Sequence, residues 1–442
     1  MSNPRTARAA EASISERRRV NRRDFLKTGA AASGFWIAGR QLGFGQEKSP
    51  NAKLNVAVIG VGGMRGADNT AGVSTETLYA FCDIDEKNLA KAKQKHPDAK
   101  EYHDFRVMLE KEPQLDAIVI STPDHIHAVA GVMAMKMGKH VYTEKPMAHS
   151  VFEVRTMVET ARKHKVATQM GTQIHAGPNY RRVVELIQSG AIGKVKEVHV
   201  FLGPSPWTAG DLPADTPDCP KHLHWDLWLG PAQERKYHPE FHPINWRKWW
   251  NFAGGPLADM ACHHMDLPFW ALGLKNPKTI EAQGPPVHAE GAPPWLTVTW
   301  DFDGLPLTWY HGDKRPPHFS DGRIKIPWGG GNLFVGEKGM LLANYGQHKL
   351  LPEDQYKDFK PPEKTIPDSI GHHAEFIRAA KGGDPALCRF DYAGPLTEAV
   401  LLGNVAYRCG KKFEWDSAAL KTKGCPEADR LLQREYRKGW SL

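Results

Sequence analysis

The sequence predicts an α/β fold in which an N-terminal parallel sheet wound by helices is joined to a C-terminal α+β domain with a mostly antiparallel open sheet. Three observations predict it. From Leu54 to Gly171 short apolar runs alternate with helical patterns, the texture of a sheet whose strands are connected by crossover helices. The first run, Val56-Ala57-Val58-Ile59, passes directly into Gly60-Val61-Gly62, a strand ending in a glycine turn. After Gly171 the runs lengthen into Val195 to Phe201, Trp295 to Phe302 and Leu307 to His311, which suits antiparallel strands with one covered face.

Ahead of both halves lies a leader over residues 1–45. Asn21-Arg22-Arg23-Asp24-Phe25-Leu26-Lys27 carries a twin-arginine motif, followed by small, weakly apolar residues from Gly29 to Gly39 and a polar exit near Gly45, the parts of an export signal. Asn21 stands where Ser or Thr is usual, and no clean Ala-x-Ala cleavage site follows. The run is too short and too rich in Gly and Ala to remain in a bilayer. Because the twin-arginine translocase carries folded proteins, a cofactor loaded inside the cell could travel out with the chain to a periplasmic or other extracytoplasmic location. The formal charge of +8 belongs mostly to this leader: nine Lys/Arg against three Asp/Glu give +6, leaving 8 − 6 = +2 for the remainder. A nucleic-acid partner thereby loses its main support. Six scattered cysteines show no paired spacing, so no disulfide framework is expected beyond one late pair. No downstream stretch is long and apolar enough for stable membrane insertion.

Residues 51–172 are expected to form a Rossmann dinucleotide-binding domain. Its strands are read at Leu54 to Ile59, Thr77 to Phe81, Ala117 to Ile120, His140 to Tyr142 and Val166 to Met170, with helices at Glu86 to Gln94 and His127 to Met137, the latter closed by Gly138. Gly60 and Gly62 sit at the first strand-to-helix turn, where missing side chains let backbone amides approach a pyrophosphate. The third glycine is displaced: Arg65 takes the sixth position and Gly66 follows, which places Met64 and Arg65 among the candidate cofactor contacts. Asp83, about twenty residues past the turn, can accept hydrogen bonds from an adenosine ribose and repels a 2′-phosphate. NAD is therefore expected in preference to NADP.

Ser121-Thr122-Pro123-Asp124-His125-Ile126-His127 and Tyr142-Thr143-Glu144-Lys145-Pro146 follow the next two strands. Both lie at carboxyl ends of a parallel sheet, where open α/β folds bind ligands, making Ser121, Thr122, Pro123, His127, Glu144 and Lys145 further cofactor candidates. With this Glu-Lys-Pro the chain beyond the leader resembles the Gfo/Idh/MocA oxidoreductases, most closely their exported branch.

Residues 173–442 are expected to form the substrate domain. A helix is read from Asn179 to Ser189. Gly254-Gly255-Pro256-Leu257-Ala258-Asp259-Met260-Ala261-Cys262-His263-His264-Met265-Asp266 begins a second, with Pro256 in its first turn, Asp259 and His263 four apart on one face, and Pro268 bending it. The resemblance implies that Asp259, His263 and Lys145 act on the substrate. Their chemistry suits oxidation of a carbinol: imidazole titrates near neutrality and can take the hydroxyl proton, while the ammonium can hold the hydroxyl and stabilise alkoxide charge. Asp259 would orient the imidazole or hold a neighbouring hydroxyl, and either Lys145 or His263 could be the base. His175 is a candidate substrate contact, although Thr172-Gln173-Ile174-His175 departs from the Asn-Gln-Gly-His run of similar exported proteins.

Between Pro204 and Trp250, tryptophans 207, 225, 228, 246, 249 and 250 can stack on sugar faces or staple a long loop. Trp246, Asn245 and Arg247 are candidate substrate contacts. Histidines recur at 222 and 224, 238 and 242, 263 and 264, and 372 and 373, yet none shows a closed ligand spacing, and no metal is expected. The expected activity is hydride transfer between tightly held NAD and a sugar, sugar derivative or polyol. The rival activity is glycoside hydrolysis through transient oxidation and elimination, and a sugar-binding protein without turnover is a third possibility. By analogy the chain is expected to be a homo-oligomer.

Overall fold

The computed structural model describes residues 52–208 and 210–442, and the expected leader lies outside the described residues. Six parallel strands form the first sheet: β1 (Asn55–Ile59), β2 (Thr77–Cys82), β3 (Lys100–Tyr102), β4 (Ala117–Ile120), β5 (His140–Glu144) and β6 (Thr168–Gly171). Their order is β3-β2-β1-β4-β5-β6, so the order in which strands are added reverses between β1 and β4 and opens a crevice at their carboxyl ends. Val56, Ala57, Val58 and Ile59 are at most 3% exposed, because helices cover both faces. Full burial of a valine or isoleucine side chain stabilises by about 1.5–3 kcal/mol, which fixes the strand where apolar residues run without alternation.

The flanking helices start where the sequence supplies caps. Asp85 and Asp104 accept the backbone N–H groups of Lys87 and Arg106 at the starts of Glu86–Lys95 and Phe105–Lys111, and Ser150 and Glu153 form a capping box for Val151–His164. The helix Asp124–Lys136 begins three residues before its expected start at His127. A late segment also completes this half. Phe376 and Ala380 of the helix His372–Ala380 pack with Val56, Val58, Phe81 and Tyr142, and Gln169 Nε2 donates to the His372 carbonyl at 2.7 Å.

The second sheet has nine strands: β7 (Val195–Leu202), β8 (Thr279–Gln283), β9 (Leu296–Phe302), β10 (Leu305–His311), β11 (Gly330–Gly336), β12 (Met340–Ala343), β13 (His348–Leu351), β14 (Phe413–Asp416) and β15 (Lys421–Lys423). Their order is β13-β12-β11-β7-β10-β9-β8-β14-β15. Only β7 and β10 run parallel. Val198, Val200, Val298, Trp300, Leu307 and Trp309 form one buried face against the helices, where Trp300 Nε1 donates to the Ala399 carbonyl of the helix Phe390–Cys409 at 2.8 Å. Phe201, on the opposite face, packs with Ile324, Leu333, Leu342 and Leu351.

The helix expected to bend at Pro268 is instead two helices, Gly255–His264 and Asp266–Leu272. Pro268 falls in the first turn of the second, where its missing N–H would have had no intrahelical partner. Cys409 and Cys425 bring their sulfurs to 4.0 Å, both as free thiols. No helix among the described residues is long and apolar enough to cross a membrane.

Candidate active site

A cleft of about 710 Å³ runs from the glycine turn to the helix carrying Asp259. Backbone approach defines its first end. Gly60 has φ +82°, and a Cβ there would lie 3.0 Å from the Ser121 carbonyl. Gly66 explains the displaced glycine: its Cβ would lie 2.4 Å from the Gly60 carbonyl oxygen and 2.5 Å from the Val61 carbonyl carbon. Gly66 thus supplies the close contact between helix Gly63–Gly72 and β1, which frees Arg65 and Met64 to line the cleft.

Asp83 leaves the end of β2 and faces the same turn. Its Oδ2 accepts the Gly62 N–H at 3.0 Å, and its Oδ1 accepts the Asp85 N–H at 2.9 Å. Burial raises its pKa against the pull of those N–H groups. Naked backbone at the turn and a buried carboxylate about twenty residues later match the demands of a pyrophosphate and an adenosine ribose. The residues therefore fit NAD.

Ser121, Thr122, Pro123, Glu144 and Lys145 also line the cleft. Glu144 Oε1 accepts the side-chain amides of Asn69 and Gln173, both at 2.9 Å, and Asn69 Nδ2 reaches Ser121 Oγ at 2.9 Å. Asn69 and Gln173 therefore tie together loops from three strands. Sequence reading singled out neither for this, since an amide's partners are set by packing.

Lys145 Nζ donates to Oδ1 and to the backbone carbonyl of Asp259, both at 2.6 Å. Arg247 Nε stands 3.5 Å from the same Oδ1, its guanidinium 4.2 Å from the Trp246 ring and 5.2 Å from Trp207. Burial raises the Asp259 pKa, but Lys145 and Arg247 outweigh it and hold the carboxyl below its usual value. Asp259 thus grips the lysine and not the imidazole. His263, one turn later, lines the cleft, and burial together with Lys145 holds its pKa well below the ordinary value. No ring hydrogen bond engages it within the described residues, so a neutral imidazole faces the cavity.

Asp124 is a site residue that sequence reading passed over. It opens the helix Asp124–Lys136, lines the cleft at 4% exposure, and has its pKa pushed up to about 8 by burial, against the pull of Arg247 and Lys145. Its position beside a run of proposed contacts was visible; its desolvation was not.

Three expected contacts lie elsewhere. His127 is fully buried, its Nδ1 and Nε2 each 2.8 Å from the carbonyls of Pro146 and Thr122. One turn into its helix, it points back and ties the two cleft loops together without lining the cleft. His175 is buried, its Nδ1 2.9 Å from Asp266 and its ring stacked on Trp270 at 4.1 Å, so a contact to substrate is closed to it. Asn245 begins a 3-10 turn whose next two residues, Trp246 and Arg247, do line the cleft. Trp207 and Trp228 join Trp246 there. Trp249 lies in a loop core with Leu229, Phe241 and Phe252, Trp225 stacks on Trp228 at 4.5 Å, and Trp250 belongs to the main core.

The chain matches two family models: "Oxidoreductase family, NAD-binding Rossmann fold" over residues 54–172, and "Oxidoreductase family, C-terminal alpha/beta domain" over residues 177–318. It is 29% identical over 143 residues to a myo-inositol 2-dehydrogenase of Thermotoga maritima, covering 32% of this chain and 42% of that protein. It is also 29% identical over 197 residues to a glycosyl hydrolase family 109 protein of Solibacter usitatus, covering 40% and 44%. The chain thus spans under half the length of these relatives. The fold matches the WlbA dehydrogenase from Bordetella pertussis, solved with NADH and UDP-GlcNAcA, at a TM-score of 0.59 and 18% identity over 82% of this chain and 99% of that one. With an NAD-binding Rossmann domain and the matching C-terminal domain in one chain, this protein belongs to the Gfo/Idh/MocA family of oxidoreductases.

Proposed function

We propose that this chain is an NAD-dependent oxidoreductase that acts on a CH–OH group of a sugar, sugar derivative or polyol. One observation carries the reading: the Lys145–Asp259 pair, at 2.6 Å, shares a single cleft with the Gly60–Gly62 turn and Asp83. When bound, NAD supplies a hydride acceptor. Lys145, held in place by Asp259, would hold the substrate oxygen and stabilise its developing charge. His263, neutral and without a hydrogen bond to its ring among the described residues, is the better placed of the two to take the hydroxyl proton. Trp207, Trp228 and Trp246 line the cleft as apolar surface for C–H groups, with Arg247 over the Trp246 ring as a charged donor.

The twin-arginine leader adds that the enzyme works outside the cytoplasm after passage through the translocase. Free NAD is not expected there, so the cofactor would stay bound and be reoxidised by a second substrate. Assembly as a homo-oligomer is part of the same reading.

A second reading has support from the family 109 likeness. Oxidising a sugar hydroxyl to a ketone acidifies the adjacent C–H, a base then eliminates the glycosidic substituent, and addition of water and re-reduction return a sugar with no net redox change. The test is to denature purified protein and assay released nucleotide, then follow nicotinamide absorbance in native protein as sugars and glycosides are added. A net ketone product supports the oxidoreductase. Released aglycone with no net oxidation supports the hydrolase, and bound cofactor that no compound reduces leaves a sugar-binding protein.

A further inference from the structure

The outer face of the second sheet gathers three ligand-type side chains that take no part in lining the cleft. Strand β7 alternates: Val198 and Val200 enter the helix-covered core, while Glu197, His199 and Phe201 take the other side. Residues 312–329 cover that side and bring His318 down onto it from the short turn Pro317–Ser320. His318 is 2% exposed and His199 5%. Their rings lie 5.0 Å apart between centroids.

Glu197 Oε1 stands 3.5 Å from His199 Nε2 and 3.4 Å from His318 Nε2. Both separations are long for a charge-assisted hydrogen bond. They agree with the edge of a tetrahedron built on bonds of about 2.0–2.1 Å, which is about 3.3–3.4 Å. His199 Nε2 and both ring nitrogens of His318 are buried without a hydrogen-bond partner, a costly arrangement that a ligand would resolve. The far side of His199 is already braced, since its Nδ1 lies 3.1 Å from Tyr310 Oη. A partner on the outer nitrogen fixes the tautomer and aims the Nε2 lone pair inward. Burial holds both imidazoles below their ordinary pKa, in the neutral form that binds metal. Arg323 lies near, its charge offset by Asp321 at 2.6 Å. By contrast, His175 in the buried group with Asp266 and Cys388 has spent its Nδ1 on Asp266.

We propose that Glu197, His199 and His318 bind one divalent ion of the zinc class, with water at the fourth position, and that the ion clips residues 312–329 to β7. Histidine and carboxylate ligands with a half-exposed Glu197 leave a route for the ion to enter.

The test uses the full chain, stripped with a chelator and titrated with Zn2+, with Co2+ as a spectroscopic probe. The wild type should take up one equivalent at this site, give tetrahedral cobalt absorption bands, melt at higher temperature with zinc, and protect residues 312–329 from hydrogen exchange. Glu197→Gln should weaken binding by at least about tenfold, and His318→Gln should abolish the cobalt bands. Should His318→Gln fail to fold, the half-exposed Glu197→Gln decides. Wild type that retains no zinc at micromolar concentration, or Glu197→Gln that binds zinc and protects residues 312–329 as wild type does, overturns the proposal.

Discussion

Replacing Lys145 with methionine keeps the unbranched apolar stem, one atom shorter, and deletes the charge that organises the cleft. Two donor contacts to Asp259, both at 2.6 Å, disappear. The pair is only 10% and 15% exposed, and breaking a buried ion pair from one side costs about 3–5 kcal/mol. Arg247 Nε remains 3.5 Å from Asp259 Oδ1, so the lower end, about 3 kcal/mol, is expected. The sign with pH follows from the lowered Asp259 pKa: in wild type its contribution is present above the unfolded value and lost as pH falls through the folded one. In Lys145→Met burial is opposed chiefly by Arg247, with a smaller pull from His263, so the Asp259 pKa rises and the stability deficit opens as pH climbs past the lowered wild-type value. For the proposed chemistry, in which Lys145 holds the substrate oxygen, its loss should lower kcat by about 10²–10⁴, equal to about 2.7–5.5 kcal/mol of barrier. Urea unfolding at several pH values measures the first effect. Nicotinamide absorbance changes, normalised to released nucleotide, measure the second. Turnover within about threefold of wild type at full cofactor content, a change below 1 kcal/mol, would refute the assignment of Lys145.

Three other substitutions probe the remaining parts of the cleft. Gly66→Ala places a methyl 2.4 Å from the Gly60 carbonyl oxygen; the backbone must shift, costing about 1–3 kcal/mol, and purified protein should carry less nucleotide. Asp83→Asn removes the carboxylate facing the glycine turn, so the preference for NAD over NADP should narrow by about tenfold, read from the two affinities of stripped protein. Asp124 has its pKa raised from 3.8 to about 8, so the folded state keeps a proton that the unfolded state releases, and wild-type stability falls by about 1.4 kcal/mol per unit as pH rises between those values. Asp124→Asn should flatten that slope and gain on wild type from about pH 5 to about pH 7; parallel denaturation profiles would sink the argument.

The parallel sheet was legible because its central strands β1 and β4 are apolar runs buried on both faces, and the readings for β1, β4 and β5 share their cores with the observed strands. The short strand β3, Lys100–Tyr102, was missed because its exposed residues carry no apolar pattern. At the site, Gly60, Gly62, Asp83 and Lys145 were readable from a turn, a spacing and a short motif. His127 and His175 were placed in the wrong surroundings for one reason: an imidazole's direction depends on distant partners, here Pro146 for one and Asp266 with Trp270 for the other.

By itself the sequence determined what rests on local order: the strand-and-helix alternation, the glycine turn with its acid, and the Asp259–His263 helix face. Only the tertiary structure decided which side chains share an environment. It set Lys145 against Asp259 across 114 positions, desolvated Asp124, and brought His318 over Glu197 and His199. Backbone periodicity is written in neighbouring residues, whereas burial and charge pairing belong to surfaces that meet only when the chain has folded.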